Sequence, residues 1–325
     1  LPGGKAGTAF VTRDETAIST LWNIRKACVG LLGSLGGEGR AAVAFVEDTA
    51  VPAEHLPDFI REFRAILDRH GLAYGMFGHA DVGCLHVRPA LSLRQAGDRD
   101  KIREISDQVV ALTKSYGGLL WGEHGKGYRG EYVPEYFGPV LSAELRRIAA
   151  AFDPENLFNP GKIAIPDGSE SRLDRIDAVP FRGAKDEQIA APEARDFPTA
   201  LTCNGNGACQ GWSPDETLCP SYKATRDKTQ SPKGRAAMLR EWMRLKNIDD
   251  DKDAKAELEQ DLHQSLSTCL SCKTCASACP LQVDIAEMKS RFLSDYYGRH
   301  QRSRADRLLY HFERLLPLAR VSPAA

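Results

Sequence analysis

The chain lacks any apolar run approaching the roughly 20 residues that a membrane-spanning helix needs, so no segment reads as a span. It also lacks a charge imbalance. Its 43 Lys and Arg against 44 Asp and Glu leave a formal net charge of -1, which gives no sequence-wide attraction to nucleic acid or to an anionic membrane. No stretch shows the basic, apolar and small-residue succession of a signal peptide. Cysteine is scarce at first: Cys28 and Cys84 are followed by seven more, all after residue 200. An oxidising compartment would pair such close neighbours, so the expected setting is a reducing one, the cytoplasm. Internal repeats are absent apart from two cysteine groups.

The later group is the densest chemistry in the chain. Cys269, Cys272, Cys275 and Cys279 fall within eleven residues, and Pro280 follows, giving C-x2-C-x2-C-x3-C-P. Three thiolates so spaced sit on one loop around a single 4Fe-4S cluster, while the fourth leads away and can ligate a neighbouring one. A zinc site would instead show two separated C-x2-C pairs, and a disulfide scaffold belongs to short secreted chains. The earlier group, Cys203, Cys209 and Cys219-Pro220, keeps the first, third and proline-linked fourth positions, but Asn206 stands where a second cysteine belongs. Two arrangements follow. If the fourth cysteines exchange, Cys269, Cys272, Cys275 and Cys219 form one complete set, and Cys203, Cys209 and Cys279 remain for a second 3Fe-4S or 4Fe-4S cluster. Otherwise one cluster sits on Cys269, Cys272, Cys275 and Cys279, and the earlier group ligates nothing.

Residues 1–165 read as alternating short strands and helices. The apolar run 41–46, the stretch 72–77, the alternating 84–88 and Leu119 to Trp121 are strand candidates. Helical spacing marks 55–70, closed by Gly71, then 99–116, closed by Gly117 and Gly118, and 142–152. The fold class expected is α+β, a ferredoxin-like α/β sandwich. Residues 166–199, rich in Pro, Asp, Arg and Gly without sustained period, read as a linker or crossing segment. Residues 200–325 read as a mainly α-helical iron–sulfur domain, with helix starts at Ser231-Pro232 and at Asp284, whose capping partner is Glu287. The run 247–253 reads as a solvated turn. The chain begins at Leu1 without methionine and ends in a helical pattern through Leu308, Leu309, Phe312, Leu315 and Leu316, so a piece of a longer polypeptide is expected.

The other informative stretch carries His79, Gly83, Cys84, His86 and Arg88. Strand alternation puts Cys84, His86 and Arg88 on one face, and a turn can fold His79 back beside His86. Glu123 and His124 lie further on in a glycine-rich bend, where backbone can approach a ligand. Two imidazoles and a carboxylate make a workable divalent-metal site, although by spacing alone satisfied structural histidines fit as well.

Taken together, Gly78-His79 with Gly83 and Leu85-His86, the run 122–125, and the run 152–162 ending in Asn159-Pro-Gly-Lys162 resemble the C-terminal substrate domain of the FAD-linked 2-hydroxyacid dehydrogenases of the vanillyl-alcohol oxidase superfamily. Trp22-Asn-Ile-Arg25 resembles that domain's early Trp-x-x-Arg element. With the cysteine domain behind it, the arrangement is most similar to the long bacterial FAD and iron–sulfur D-2-hydroxyglutarate dehydrogenases. The resemblance implies that His79, His86 and Glu123 hold a divalent metal, zinc or manganese, that Arg25 pairs with a substrate carboxylate, that His124 stands between substrate and FAD, and that Asn159 lies near the isoalloxazine. Arg88 and Lys126 are candidates for a second carboxylate. It also implies an upstream FAD-binding domain and further sequence downstream. One departure stands out: the family's Gly-Asp-Gly-Asn between the histidines is here Asp81-Val82-Gly83-Cys84. The activity implied is oxidation of a D-2-hydroxy acid, D-2-hydroxyglutarate first and lactate or glycolate next, with electrons passed through iron–sulfur clusters to a quinone or redox protein. Peripheral contact with the inner membrane is a variant of the cytoplasmic expectation. The alternative class is an electron-transfer module that docks a flavoprotein and whose histidines are structural.

Overall fold

The computed structural model describes residues 11–31, 40–125, 127–178, 181–213, 218–248, 252–312 and 314. The first half is organised on β4 (Cys84–Leu91), whose residues are buried along almost its whole length. On one side β4 pairs antiparallel with β3 (Tyr74–His79). On the other it pairs with β1 (Ala41–Ala42) at its far end and β2 (Thr49–Ala50) at its near end. The apolar run expected as one strand over 41–46 is thus divided. Val43, Phe45 and Val46 are buried between the two short pairings, and Asp48 takes a left-handed φ of 69° just before pairing resumes. Asp tolerates that region better than a branched residue does. Ala50 and Leu119 then form a bridge beyond β2, with N–H···O distances of 2.8 and 2.7 Å.

Between β3 and β4 the chain reverses over 80–83. Gly83 has φ 68°, and a β-carbon there would collide with the Val51 carbonyl oxygen, so only glycine fits this turn. The consequence is that His79 and Cys84 face each other across the first rung of the ladder.

Helices α2 (Leu56–Arg69) and α3 (Ala96–Ser115) pack on each other and on the sheet. Phe59, Phe63 and Leu67 meet Ile105 and Val109 over Leu85, Val87 and Leu91. α1 (Glu15–Leu31) precedes them with Leu21, Trp22 and Ile24 exposed. α4 (Val133–Phe152) is longer than the 142–152 expected. Gly138, at φ 69° and ψ 178°, leaves the helical region just before Pro139, so the span is two helical segments meeting at a kink, and the second of them holds the expected 142–152. Val133 and Tyr132 join Trp121, Leu120 and Val110 in a smaller core.

The segment 166–199 is packed along its course. Ile176 enters the first core, and Ile189 and Phe197 enter a second. Arg94 donates to the Ile189 carbonyl at 3.0 Å, and Arg99 meets Glu187 at 3.1 Å. Short helices α5 (Ala191–Asp196), α6 (Pro198–Thr202) and α7 (Pro220–Thr225) lead into α8 (Pro232–Leu245), α9 (Lys252–Ser267), α10 (Thr274–Ala278), α11 (Ile285–Arg299) and α12 (Arg304–Tyr310). Ser231 caps α8 by accepting from Gly234 N–H at 3.1 Å, and Asp284 caps α11 by accepting from Glu287 N–H at 2.9 Å. Trp242, Leu239, Leu262 and Phe292, all fully buried, form the middle of the second core. The turn expected over 247–253 falls partly, and Leu315 and Leu316 wholly, outside the described residues. No helix among the described residues is long and apolar enough to cross a membrane.

Candidate active site and iron–sulfur sites

The turn at Gly83 and the pairing of β3 with β4 bring His79 and His86 within 5.7 Å, ring centre to ring centre, nearly perpendicular to each other. Glu123 reaches both from the bend after Trp121. Its Oε1 lies 2.7 Å from His86 Nε2, 3.3 Å from His79 Nε2 and 3.6 Å from His124 Nε2. Three imidazole nitrogens therefore converge on one carboxylate oxygen. The His124 ring stacks on that of His86 at 5.0 Å and is half exposed, whereas His86 is buried. His79 and Glu123 are open enough for a ligand to reach them, at 33% and 42% side-chain exposure.

Asp48 is the residue the sequence reading missed. It is fully buried, and its two carboxylate oxygens accept from the backbone N–H groups of Glu123 and His124, each at 2.9 Å. Arg129 approaches the same carboxylate at 3.8 Å and also donates to the Glu47 carbonyl. Burial pulls the Arg129 guanidinium below its ordinary pKa, and the charges of Asp48 and Glu47 oppose that pull. Asp48, His86, Glu123 and His124 each offer an atom within 4.8 Å of one another, a geometry that suits a cation. Asp48 already spends both oxygens on backbone donors, so its local chemistry is that of a clamp on the Glu123-His124 peptide. The only sequence signal for it was an acid at the break of a buried strand.

The donor set fits a divalent cation. Ligand atoms on one ion at about 2.0–2.2 Å stand roughly 3 Å apart, as Glu123 Oε1 stands from two imidazole nitrogens. Among the described residues His86 Nδ1, which is buried, has no hydrogen-bond partner, unlike the orienting bond usual for a metal-binding histidine. Cys84 lies beside these groups on β4. Its thiol lies 3.6 Å from Asp48 Oδ1 and 3.9 Å from His86 Nε2. Burial, followed by the nearby Asp48 and Glu123 charges, pushes that thiol up to about 12, so without a cation it stays protonated at neutral pH.

The remaining candidates lie apart from this cluster. Arg25 is exposed on α1 with its guanidinium 5.3 Å from the Trp22 ring, and no hydrogen bond or ion pair among the described residues ties it to the histidines. Arg88 is committed to Glu47 at 2.8 Å. Lys126 lies outside the described residues. Asn159 is exposed at φ 50° in the loop after α4, a loop fixed by Asp153 accepting from Leu157 and Phe158 N–H at 2.8 Å each.

In the helical half all seven cysteines are free thiols. Cys219, from the earlier group, lines one cavity with Cys269, Cys272 and Cys275. Cys275 is buried there, and burial raises its thiol. Cys272 is exposed, and the Thr274 hydroxyl and N–H lower its thiol. Cys203 and Cys209 are buried in the second core, against which Cys279 packs. Burial raises the Cys209 thiol. The Lys233 N–H opposes that, and Cys203, Cys279 and Cys219 are close enough to add to it. Cys219 thus shares a cavity with Cys269, Cys272 and Cys275, while Cys203, Cys209 and Cys279 lie in or against the second core. Four soft thiolates around one space are what a 4Fe-4S cluster requires.

Residues 2–163 match the family of FAD linked oxidases, C-terminal domain, and residues 199–283 match the 4Fe-4S dicluster domain. The chain is 46% identical to the D-2-hydroxyglutarate dehydrogenase of Pseudomonas putida, over 94% of this chain and 33% of that protein. It is 43% identical to the enzyme of the same name from Escherichia coli, over 96% of this chain and 33% of that one. A D-lactate dehydrogenase of Anaerostipes hadrus is 30% identical over 36% of this chain and 25% of its own length. The chain thus spans about a third of the length of the D-2-hydroxyglutarate dehydrogenases it matches. It carries the C-terminal domain of the FAD linked oxidases over residues 2–163, joined to a 4Fe-4S dicluster domain over residues 199–283.

Proposed function

We propose that the intact polypeptide oxidises D-2-hydroxyglutarate to 2-oxoglutarate at FAD and passes the electrons, one at a time, through two iron–sulfur clusters to an acceptor. The observation that carries this reading is the convergence of His79, His86 and His124 on a single oxygen of Glu123. FAD, a divalent cation and the clusters, when bound, supply respectively the hydride acceptor, the Lewis acid that lowers the hydroxyl pKa, and the one-electron carriers. His79, His86 and Glu123 are the residues that would hold the cation, and Asp48 fixes the Glu123-His124 peptide beneath it. His124, the most exposed ring of the three, takes the hydroxyl proton at Nε2 while the carbinol hydrogen leaves with its electron pair. Arg25 recognises a substrate carboxylate once α1 is covered by the rest of the polypeptide, and Asn159 faces the isoalloxazine.

In the same reading residues 1–165 form a ferredoxin-like sandwich. The succession of a split strand, α2, β3, β4, α3 and a bridge at Leu119, with the bridge beside β2 and β4 between β2 and β3, supports it. Residues 166–199 cross to a helical domain over 200–325. Cys219, Cys269, Cys272 and Cys275 hold one 4Fe-4S cluster, and Cys203, Cys209 and Cys279 hold a second cluster. The exposed Cys272 and Leu270 make the first of these the exit toward the acceptor.

The test is anaerobic mixing of the intact, cofactor-loaded protein with D-2-hydroxyglutarate, D-lactate and glycolate. The flavin absorbance should bleach fastest with the first. Glu123→Ala and His79→Ala should abolish bleaching while cluster absorbance stays unchanged. Undiminished bleaching in both variants would end the metal-site reading, and no bleaching with any D-2-hydroxy acid would leave only an electron-transfer module.

A further inference from the structure

We propose that Arg182 sets the reduction potential of the cluster held by Cys203, Cys209 and Cys279, acting as a positioning residue on the crossing segment. This rests on the two-cluster reading above. Arg182 approaches Cys203 twice: Nε donates to the Cys203 carbonyl at 2.7 Å, and Nη2 lies 3.3 Å from Cys203 Sγ. The first contact shapes the loop. The second aims a positive N–H at a sulfur, and such a donor does little for a neutral thiol but much for a thiolate bound to iron.

The loop is built around this side chain. Gly205, at φ 80°, passes over the Arg182 stem so closely that a β-carbon would stand 3.1 Å from its Cδ. Arg240 secures the Cys203 carbonyl from another direction at 3.1 Å, itself paired with Asp186 at 3.1 Å. The carbonyl would therefore stay anchored without Arg182, whereas among the described residues no second guanidinium hydrogen-bonds Cys203 Sγ, Arg240 acting on it through charge alone. Cys209 Sγ in turn accepts from Lys233 N–H at 3.3 Å. Two of three sulfurs in this group thus receive donors at 3.3 Å.

The other group also receives donors, the Thr274 hydroxyl and N–H at Cys272 and the Ile285 N–H at Cys275, but it differs in its fixed charge. Arg235 stands farther off, 3.8 Å from Cys219 Sγ, and Cys219 points its own thiol at the Gln230 carbonyl at 3.6 Å. Reduction adds one negative charge to a cluster. Donors and a fixed positive charge at the sulfurs stabilise that state and raise the potential. Burial in the second core works the other way, because a low-dielectric surrounding disfavours added charge. Arg182 offsets that burial for the inner group, so electrons coming from the flavin side of the chain find an acceptor there.

The experiment is a redox titration of the intact, cluster-loaded protein followed by electron paramagnetic resonance, with Arg182→Gln and Arg182→Lys. In Arg182→Gln the midpoint of the second cluster should move to more negative potential while that of the Cys269 cluster stays put, and Arg182→Lys should fall between. If Arg182→Gln loses the second signal, Arg182→Lys decides: a lowered midpoint supports the proposal, and an unmoved midpoint or a lost signal overturns it. A second cluster present with an unmoved midpoint in both variants overturns the role of Arg182 alone. A single cluster in the wild-type protein, with iron content unaffected by Cys203→Ala, removes the two-cluster reading and this proposal with it.

Discussion

The histidine site and the cysteine sites both gather ligands, but they are assembled from the chain in different ways. His79, His86, Glu123 and Asp48 come from four separate stretches, brought together by a strand ladder and two tight bends. Cys269, Cys272 and Cys275 come from one loop, and only Cys219 is recruited from elsewhere. The histidine site sets imidazole nitrogens around one carboxylate oxygen at the edge of a sheet, whereas most of the thiols of the cysteine sites are set in or against an apolar helical core. A loss in one should therefore leave the other standing.

The sharpest way to break that comparison is through Cys275, buried in both the cavity and the core. Cys275→Ser should remove the iron of one cluster, read by iron and sulfide analysis, and abolish transfer to an external acceptor. Flavin bleaching by substrate should persist at the wild-type rate. If bleaching were lost as well, the two regions would not be independent.

The next largest effect is expected at Asp48. Asp48→Asn keeps the shape but turns an NH2 group toward one of two backbone donors and removes the stronger of the two charges that oppose the burial of Arg129, leaving Glu47. Breaking a buried pair in this way costs about 3 kcal/mol, and disturbing an outer support of a metal ligand typically lowers metal affinity roughly 10–100-fold. Thermal unfolding and a chelator competition measure the two. Cluster iron content should not change, and wild-type metal affinity in this variant would show that the clamp on Glu123-His124 is dispensable.

What was legible in the sequence follows the same division. The cysteine spacing announces a cluster because its ligands are local, while the incomplete earlier group left two arrangements open, of which one sets Cys219 with the later three. The core helices and β4 were legible from their apolar periods. The histidine site was legible only through resemblance, since its spacing is set by sheet pairing that no local pattern encodes. Asp48 was invisible because a buried acid has no periodic signature, and its φ of 69° breaks the strand period around it. The segment of α4 before Gly138 was missed because Gly138 and Pro139 break the apolar period there, as they break the helix itself.

The smallest effect sharpens the contrast by asking where charge does stabilise the helical half. Glu259 is one of the few charged groups buried there, at 10% side-chain exposure. Burial alone would raise its pKa. Hydrogen bonds from Arg299 at 2.6 Å, Trp242 at 3.0 Å and His300 at 3.1 Å outweigh that and hold it at about 2. A carboxylate with a depressed folded-state pKa contributes stability that is fully present above its unfolded value, near 4.3, and is lost as pH falls toward about 2. Because Arg299 is half exposed and its pairing is screened by solvent, the contribution is on the order of 2 kcal/mol. Glu259→Gln should therefore lower the unfolding free energy of the intact protein by that amount at pH 7 and flatten its decline between pH 5 and pH 2. Both are measurable by denaturant titration at a series of pH values. The metal-site chemistry should be unaffected, because Glu259 ties α8, α9 and α11 together and touches neither the sheet nor a cysteine. An equal pH dependence in wild type and variant would place the acid sensitivity of the helical half elsewhere.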